Sequence, residues 1–241
     1  MQRLAEMKSS FLWTGEIILL TEPIIDINLA MKRKHIGWAF FIFFAVTIGL
    51  YPALYFILDM SAGLLSSKPE SVVHNKIWIT AFYIHISFGG LSLLTGWSQF
   101  STWLRDKNLE LHRWLGKTYV IAVLMSGSAG LYIAFYASGG IVSALGFGGL
   151  AIAWLSCTLM AYIRIRQFQI DEHQHWMIRS YALTFAAVTL RLWLPAFQIF
   201  TSMDFISGYR IIAWLCWIPN LAVSEWIIRR TKSEAFTQSN L

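Results

Sequence analysis

Arg191 lies about fifteen residues into an apolar run, from Trp176 to Phe200, that is long enough to cross a bilayer. A permanently charged guanidinium at that depth is costly and needs a partner or a water-filled cavity. No Asp or Glu lies well inside the other apolar runs, and His85 is the other strongly titratable group at such a depth. We therefore expect an anionic or polar group that the chain does not encode to complete a site at Arg191.

Two further histidines, His112 and His173, fall at corresponding ends of the third and fifth apolar runs. Two imidazoles at one depth on facing helices are the usual axial ligands of a b-type haem in a helix bundle. A nearby arginine can pair with a haem propionate. The same kinds of group would also suit a quinone, whose carbonyls accept hydrogen bonds from His and Arg. Contact with lipid head groups would explain the pair equally well, because both residues lie near span ends.

The composition places these residues in a membrane protein. The 241-residue chain is 56% hydrophobic and 13% charged, which is about half the charged fraction of a soluble domain. Its apolar residues form runs of about 20 residues or more, the length that crosses about 30 Å of hydrocarbon as a helix. We predict an all-α, polytopic membrane protein, a six-transmembrane-helix bundle, with spans at about 36–58, 77–100, 114–136, 141–163, 176–201 and 209–228.

Small and polar residues recur at helical spacing on three of these spans. Such stripes favour close helix packing in a membrane, but packing alone does not account for the histidines and the arginine on the same faces. The stripes are His85, Gly89, Ser92, Gly96 and Gln99 on the second span; His112, Gly116, Tyr119, Val123, Ser126 and Gly130 on the third; and His173, Ser180, Thr184, Ala187, Arg191 and Gln198 on the fifth.

Lysines and arginines concentrate on one set of loops, thirteen against three on the opposite set. By the positive-inside rule this bias predicts that both termini are cytoplasmic. It also explains the net charge of +6, so the charge does not indicate a nucleic-acid partner. Residues 1–30 are too polar for a comfortable span. We expect them to lie on the membrane surface or to precede a natural start at Met31. Residues 31–230 would form the membrane domain, and 231–241 a cytoplasmic tail.

Three segments resemble a family of bacterial multi-span membrane proteins of unknown function. Arg191 falls where the fifth span of that family carries an Arg, and the motif His three residues before a Trp selects His173 over His175. The resemblance covers roughly 36–230 and implies the bacterial cytoplasmic (inner) membrane. The layout is also similar in outline to cytochrome b561-like bundles, although those present two matched His pairs. The three segments are 83–100, 112–119 and 173–181.

The leading hypothesis from the sequence is an electron-transfer protein that binds haem b or a quinone. His112 and His173 would be the ligands of the haem iron, and His85 with Arg191 would form a separate polar site. The alternative is binding or transport of a small anionic or lipid-like molecule, with Arg191 as the anion anchor. An intramembrane enzyme is a further candidate, but acid–base chemistry would rest on His alone. The remaining hypothesis is that the protein is a structural or accessory subunit.

Overall fold

The computed structural model describes residues 36–57, 65 and 68–239, with side chains described as far as residue 233. These residues are almost entirely helical, and no strand occurs among them. The predictions about residues 1–30 lie outside this part of the chain. Six helical segments are long and apolar enough to cross a membrane, which confirms the predicted fold class: Ile36–Ile57, Lys76–Phe100, Leu109–Ala134, Ile141–Arg166, Ile170–Phe200 and Phe205–Ser233. We call these spans one to six.

Three spans begin earlier than hydropathy alone predicts, and polar side chains cap the first turns of two of them. The third helix begins at Leu109, where the side chain of Asn108 accepts a hydrogen bond from the Leu111 N–H at 2.9 Å. Span six begins at Phe205, where Asp204 accepts from the Ser207 N–H at 3.0 Å. Span five likewise starts at 170 rather than 176. The charged first turns belong to the helices although they lie outside the apolar runs.

The chain divides into two compact units, residues 1–43 and 44–241, and the site lies within the second. In that unit span two packs on span three, span three on span four, and span four on the first half of span five. The first half of span five returns to span two and closes the ring. Span six packs against spans four and five. Four spans thus surround one common interior.

Spans five and six are each built from two helices. Span five comprises Ile170–Thr184 and Ala186–Phe200, and span six comprises Phe205–Leu215 and Ile218–Ser239. The hydroxyl of Thr189 donates to the carbonyl of Cys216 at 2.5 Å, and the Asn220 amide donates to the carbonyl of Ala182 at 3.2 Å. These side chains satisfy backbone groups that the breaks set free, as a membrane interior requires.

The polar stripes of spans two and three pack against each other. A Cβ atom at Gly130 would lie 2.8 Å from Nδ1 of His85, so the absence of a side chain there makes room for the imidazole. The hydroxyl of Ser126 donates to the His85 carbonyl at 2.8 Å. The expected role of the small residues in close packing is therefore confirmed at this contact.

The two ends of the spans carry different loops. We call the end with the loops 101–108 and 167–169 the basic end, since Arg105, Lys107, Arg113, Arg164 and Arg166 lie there. The opposite end, with the connection 135–140, is the turn end. Which end faces the cytoplasm stays a prediction from the charge bias.

Candidate functional site

A cavity of about 220 Å³ extends from the turn end towards the middle of the spans. Most of its wall is apolar, from side chains such as Trp78, Phe82 and Leu93. The structure brings His85 and Arg191 together on this wall, whereas neither His112 nor His173 is among the lining residues. The titratable and hydroxyl side chains that line the cavity are Lys68, His85, Ser126, Thr184, Arg191, Tyr209 and Cys216.

The imidazole of His85 is held by the backbone of span three. Its Nδ1 lies 2.9 Å from the carbonyl oxygen of Ser126. A carbonyl only accepts, so we place a proton on Nδ1 and let it donate. The other ring nitrogen, Nε2, is then an acceptor in the neutral ring and takes no hydrogen bond from the described residues. His85 therefore presents an oriented acceptor to a ligand in the cavity.

The guanidinium of Arg191 also lines the cavity. Its Nη1 donates to the carbonyl of Ala187 at 2.9 Å, and its Cζ lies 4.9 Å from the centre of the Tyr51 ring. No carboxylate oxygen lies within ion-pair distance of Arg191 among the residues that the structure describes. A guanidinium has five N–H donors, so this group has both charge and donors for an anion.

Lys68 contributes a second cation to the cavity wall at the turn end. Its Nζ donates to the carbonyl of Tyr136 at 2.5 Å and to the hydroxyl of Ser138 at 3.1 Å. Burial lowers the pKa of Lys68 from its ordinary value, because desolvation disfavours the charged form. Lys68 and Arg191 thus place two cationic groups in a cavity that has no carboxylate among its described lining residues.

A closed network of hydroxyl groups lies beneath the cavity, where spans three, four and five meet. The Tyr119 hydroxyl lies 2.6 Å from Oγ of Ser180 and 2.8 Å from Oγ1 of Thr184. The Trp154 indole donates to Thr184 at 2.8 Å, and Thr158 lies 2.6 Å from Ser180. The polar faces predicted for spans three and five therefore meet here. Each donor has an acceptor, so the network fixes the cavity floor.

Tyr119→Phe should destabilise the protein by about 1–2 kcal/mol, because it leaves buried hydroxyls with one partner fewer. Tyr119 is fully buried, whereas Tyr162 is 44% exposed, so Tyr162→Phe is the matched control. Thermal unfolding of both variants in the same detergent checks this. Equal melting temperatures for the two variants would show that the network contributes nothing measurable.

The two histidines predicted as haem ligands lie near the basic end. Nδ1 of His173 lies 2.8 Å from the carbonyl oxygen of Ala161 on span four, the kind of contact that orients metal-binding histidines. Nδ1 of His112 is buried and has no hydrogen-bond partner among the described residues. His173 thus makes a backbone contact of the kind that metal-binding histidines use, and Nδ1 of His112 makes none with the described residues.

Other polar groups at the basic end hold helices together. Arg179 donates to both carboxylate oxygens of Glu225, at 2.5 and 3.0 Å, and joins spans five and six. Its Cζ lies 4.6 Å from the centre of the Trp176 ring. Nδ1 of His175 lies 3.6 Å from a carboxylate oxygen of Glu172. A structural role accounts for these contacts.

Part of the site follows from sequence spacing and part does not. Ala187 and Arg191 line the cavity as their stripe predicts, whereas Gln198 is exposed near the end of span five, beyond the cavity. The sequence analysis missed Tyr51 and Lys68. Tyr51 sits in an apolar run and resembles an interfacial anchor, and Lys68 resembles an ordinary loop residue. The cluster of tyrosines at 51 and 55 was the available signal.

Comparison with known proteins places the chain in a family. No curated protein and no solved structure matches it. Residues 82–228, which are more than half of the chain, match the family described as "Predicted membrane protein (DUF2306)". This agrees with the resemblance found in the sequence, whereas the outline similarity to cytochrome b561-like bundles has no such match. The chain therefore belongs to this family of integral membrane proteins.

Proposed function

We propose that the protein binds a small amphipathic anion inside the membrane. One observation carries this proposal: Arg191 lines an apolar cavity, and no described carboxylate neutralises it. An uncompensated charge in a low-dielectric setting is strongly unfavourable, and a ligand carboxylate or phosphate would supply the missing charge. Guanidinium groups bind such oxyanions through paired hydrogen bonds.

The remaining cavity groups suit the same ligand. Nε2 of His85 would accept a hydrogen bond from a protonated oxygen of the head group, and Lys68 adds positive charge at the turn end. The volume of about 220 Å³ is below the roughly 300–1,000 Å³ of sites for drug-sized ligands. The cavity is therefore matched to a head group with a short apolar part. Binding, with release to either side, would serve transport or storage.

The proposal is tested by titrating purified protein in a neutral maltoside detergent with three amphiphiles of one chain length. Decyl phosphate should bind saturably with one site per chain, and decanol and decyltrimethylammonium should bind at least about tenfold more weakly, since charge pairing contributes over 1 kcal/mol. Isothermal calorimetry measures all three. Equal affinity for decyl phosphate and decanol would refute an anion site.

A quinone or quinol head group is the second candidate. The observation that favours it is that a donor, Arg191, and an acceptor, Nε2 of His85, line the same apolar cavity. A quinol would donate to His85 and accept from Arg191. The same titration with decylbenzoquinol tests it, and binding that requires His85 but not the charge of Arg191 would favour this candidate over the anion.

Haem binding by His112 and His173 stays a prediction. If haem binds there, the purified protein shows a Soret band that shifts on reduction with dithionite, and His112→Ala and His173→Ala each remove the band. His175→Ala is the control, because His175 contacts Glu172 instead. Absorption spectra of the wild type, the three single variants and the double variant of His112 and His173 measure this. A band that persists in the His112→Ala/His173→Ala double variant would move the ligands elsewhere.

A further inference from the structure

We infer that the ligand enters this cavity from the bilayer, as an amphiphile with a single hydrocarbon chain that passes between span one and the second helix of span five. The inference rests on the proposed function and specifies its ligand: an anionic head group on one chain. We call the passage the seam, with Tyr51 on one side and Arg191 on the other.

The cavity walls show where the two helices face each other. Ile48 and Pro52 line the cavity from span one, and Ala187 and Leu190 line it from span five. Between them the guanidinium of Arg191 lies 4.9 Å from the centre of the Tyr51 ring. A cation–π contact of this kind is weak when it is partly exposed, and Arg191 is neither fully buried nor fully exposed. The seam is therefore held by an interaction that an approaching anion can replace.

Span one packs more closely on span two than on the second helix of span five. A Cβ atom at Gly90 would lie 2.5 Å from the carbonyl oxygen of Gly49 and 3.1 Å from Cγ of Pro52. Tyr55 also stacks edge-on against Phe82, with ring centres 5.5 Å apart. Span one is thus packed backbone-to-backbone on span two. Opening at the seam would break fewer contacts than opening on the span-two side.

Both helices that form the seam expose large apolar side chains. Leu50 and Leu54 are 55% and 40% exposed on span one, and Leu192 and Trp193 are 47% and 37% exposed on span five. In a bilayer these side chains contact lipid chains. A cavity of about 220 Å³ has no room for a long chain beside the head group, so the chain would continue through the seam into the surrounding lipid.

The route from water is more obstructed. At the turn end Lys68 hydrogen-bonds both the carbonyl of Tyr136 and the hydroxyl of Ser138, and these bonds hold the Lys68 side chain on the connection 135–140. A free anion from solution would have to displace Lys68. An anionic head group could reach the cavity from the aqueous phase or from the bilayer. A comparison of short-chain and long-chain ligands distinguishes these two routes.

The test compares butyl phosphate with dodecyl phosphate, each titrated into the full-length protein in nanodiscs of neutral lipid, with dodecyl phosphate kept at a few per cent of the lipid. We expect saturable dodecyl phosphate binding that is lost in Arg191→Leu. If butyl phosphate binds in an Arg191-dependent manner and dodecyl phosphate does not, the cavity takes short anions from water, and this inference fails while the proposed function stands. If neither binds, both fail.

A second measurement addresses the seam directly. Tyr51→Ala removes the ring beside Arg191, and it should speed the exchange of dodecyl phosphate between nanodiscs and protein by about threefold or more, the size of one cation–π contact. Tyr51→Phe keeps the ring and should exchange at a rate close to that of the wild type. Tyr132→Ala, on span three outside the cavity lining, is the control. Equal exchange rates in Tyr51→Ala and the wild type would overturn the seam as the entry route.

Discussion

Arg191→Leu should weaken the binding of decyl phosphate by about 30-fold or more, which corresponds to the cost of truncating one partner of a desolvated charge pair, about 2–5 kcal/mol. The melting temperature of the ligand-free protein should stay the same or rise, because leucine removes a cation that no described carboxylate pairs and replaces it with an apolar side chain. Calorimetric titration and thermal unfolding of the same preparation measure the two effects.

Two further variants give this experiment its controls. Arg166→Leu removes an exposed arginine at the basic end and should leave binding unchanged. Arg191→Lys keeps the positive charge but loses the planar set of N–H donors. Its affinity for decyl phosphate should therefore lie between those of the wild type and Arg191→Leu. Unchanged affinity in Arg191→Leu would show that the anion binds elsewhere, and a large fall in melting temperature would show that Arg191 serves the fold.

Gly96→Ala should lower stability by about 1–3 kcal/mol, the usual cost of overpacking. A Cβ atom at Gly96 would collide with the Tyr181 ring and would lie 2.8 Å from the Tyr119 ring. Both tyrosines are buried in the interior of the bundle, so neither ring has space to move. The loss should exceed the gain of up to about 1 kcal/mol that alanine brings to a helix.

Gly148→Ala is the matched control, because its Cβ would meet only Cδ1 of Leu131, at 4.0 Å. It should gain the helix propensity of alanine without a clash and melt at the same temperature or higher. Thermal unfolding in one detergent compares the two variants. Similar melting temperatures would mean that spans two, three and five pack less closely at Gly96 than the structure shows.

The fold was predictable because the membrane imposes it. Apolar runs of sufficient length must be helices, since every backbone group in hydrocarbon needs an internal partner. Hydropathy cannot locate the helix ends, because polar caps such as Asn108 and Asp204 extend helices into charged sequence. It also cannot reveal the breaks within spans five and six, where side chains of other helices satisfy the freed backbone groups.

The candidate site was predictable only where one helix defines it. Helical spacing placed His85 on one stripe and Ser126 and Gly130 on another, and the structure packs these residues against each other. The depth of Arg191 indicated that it needs a partner. The contact of the Arg191 guanidinium with the Tyr51 ring of span one was not predicted from the sequence. The contact of Lys68 with the connection 135–140 was not predicted either. Such contacts between distant segments depend on how the helices assemble, and the residue pattern of a single helix does not encode them.

The most direct measurement of the central claim is the position of a bound anion. A crystal structure with 10-bromodecyl phosphate would locate the bromine by its anomalous signal and the phosphate by its density. The account predicts phosphate oxygens at about 2.8 Å from the Arg191 guanidinium, the distance of a charge-assisted hydrogen bond, within the cavity that His85 also lines. Phosphate bound instead to the arginines of the basic end, with nothing at Arg191, would contradict it.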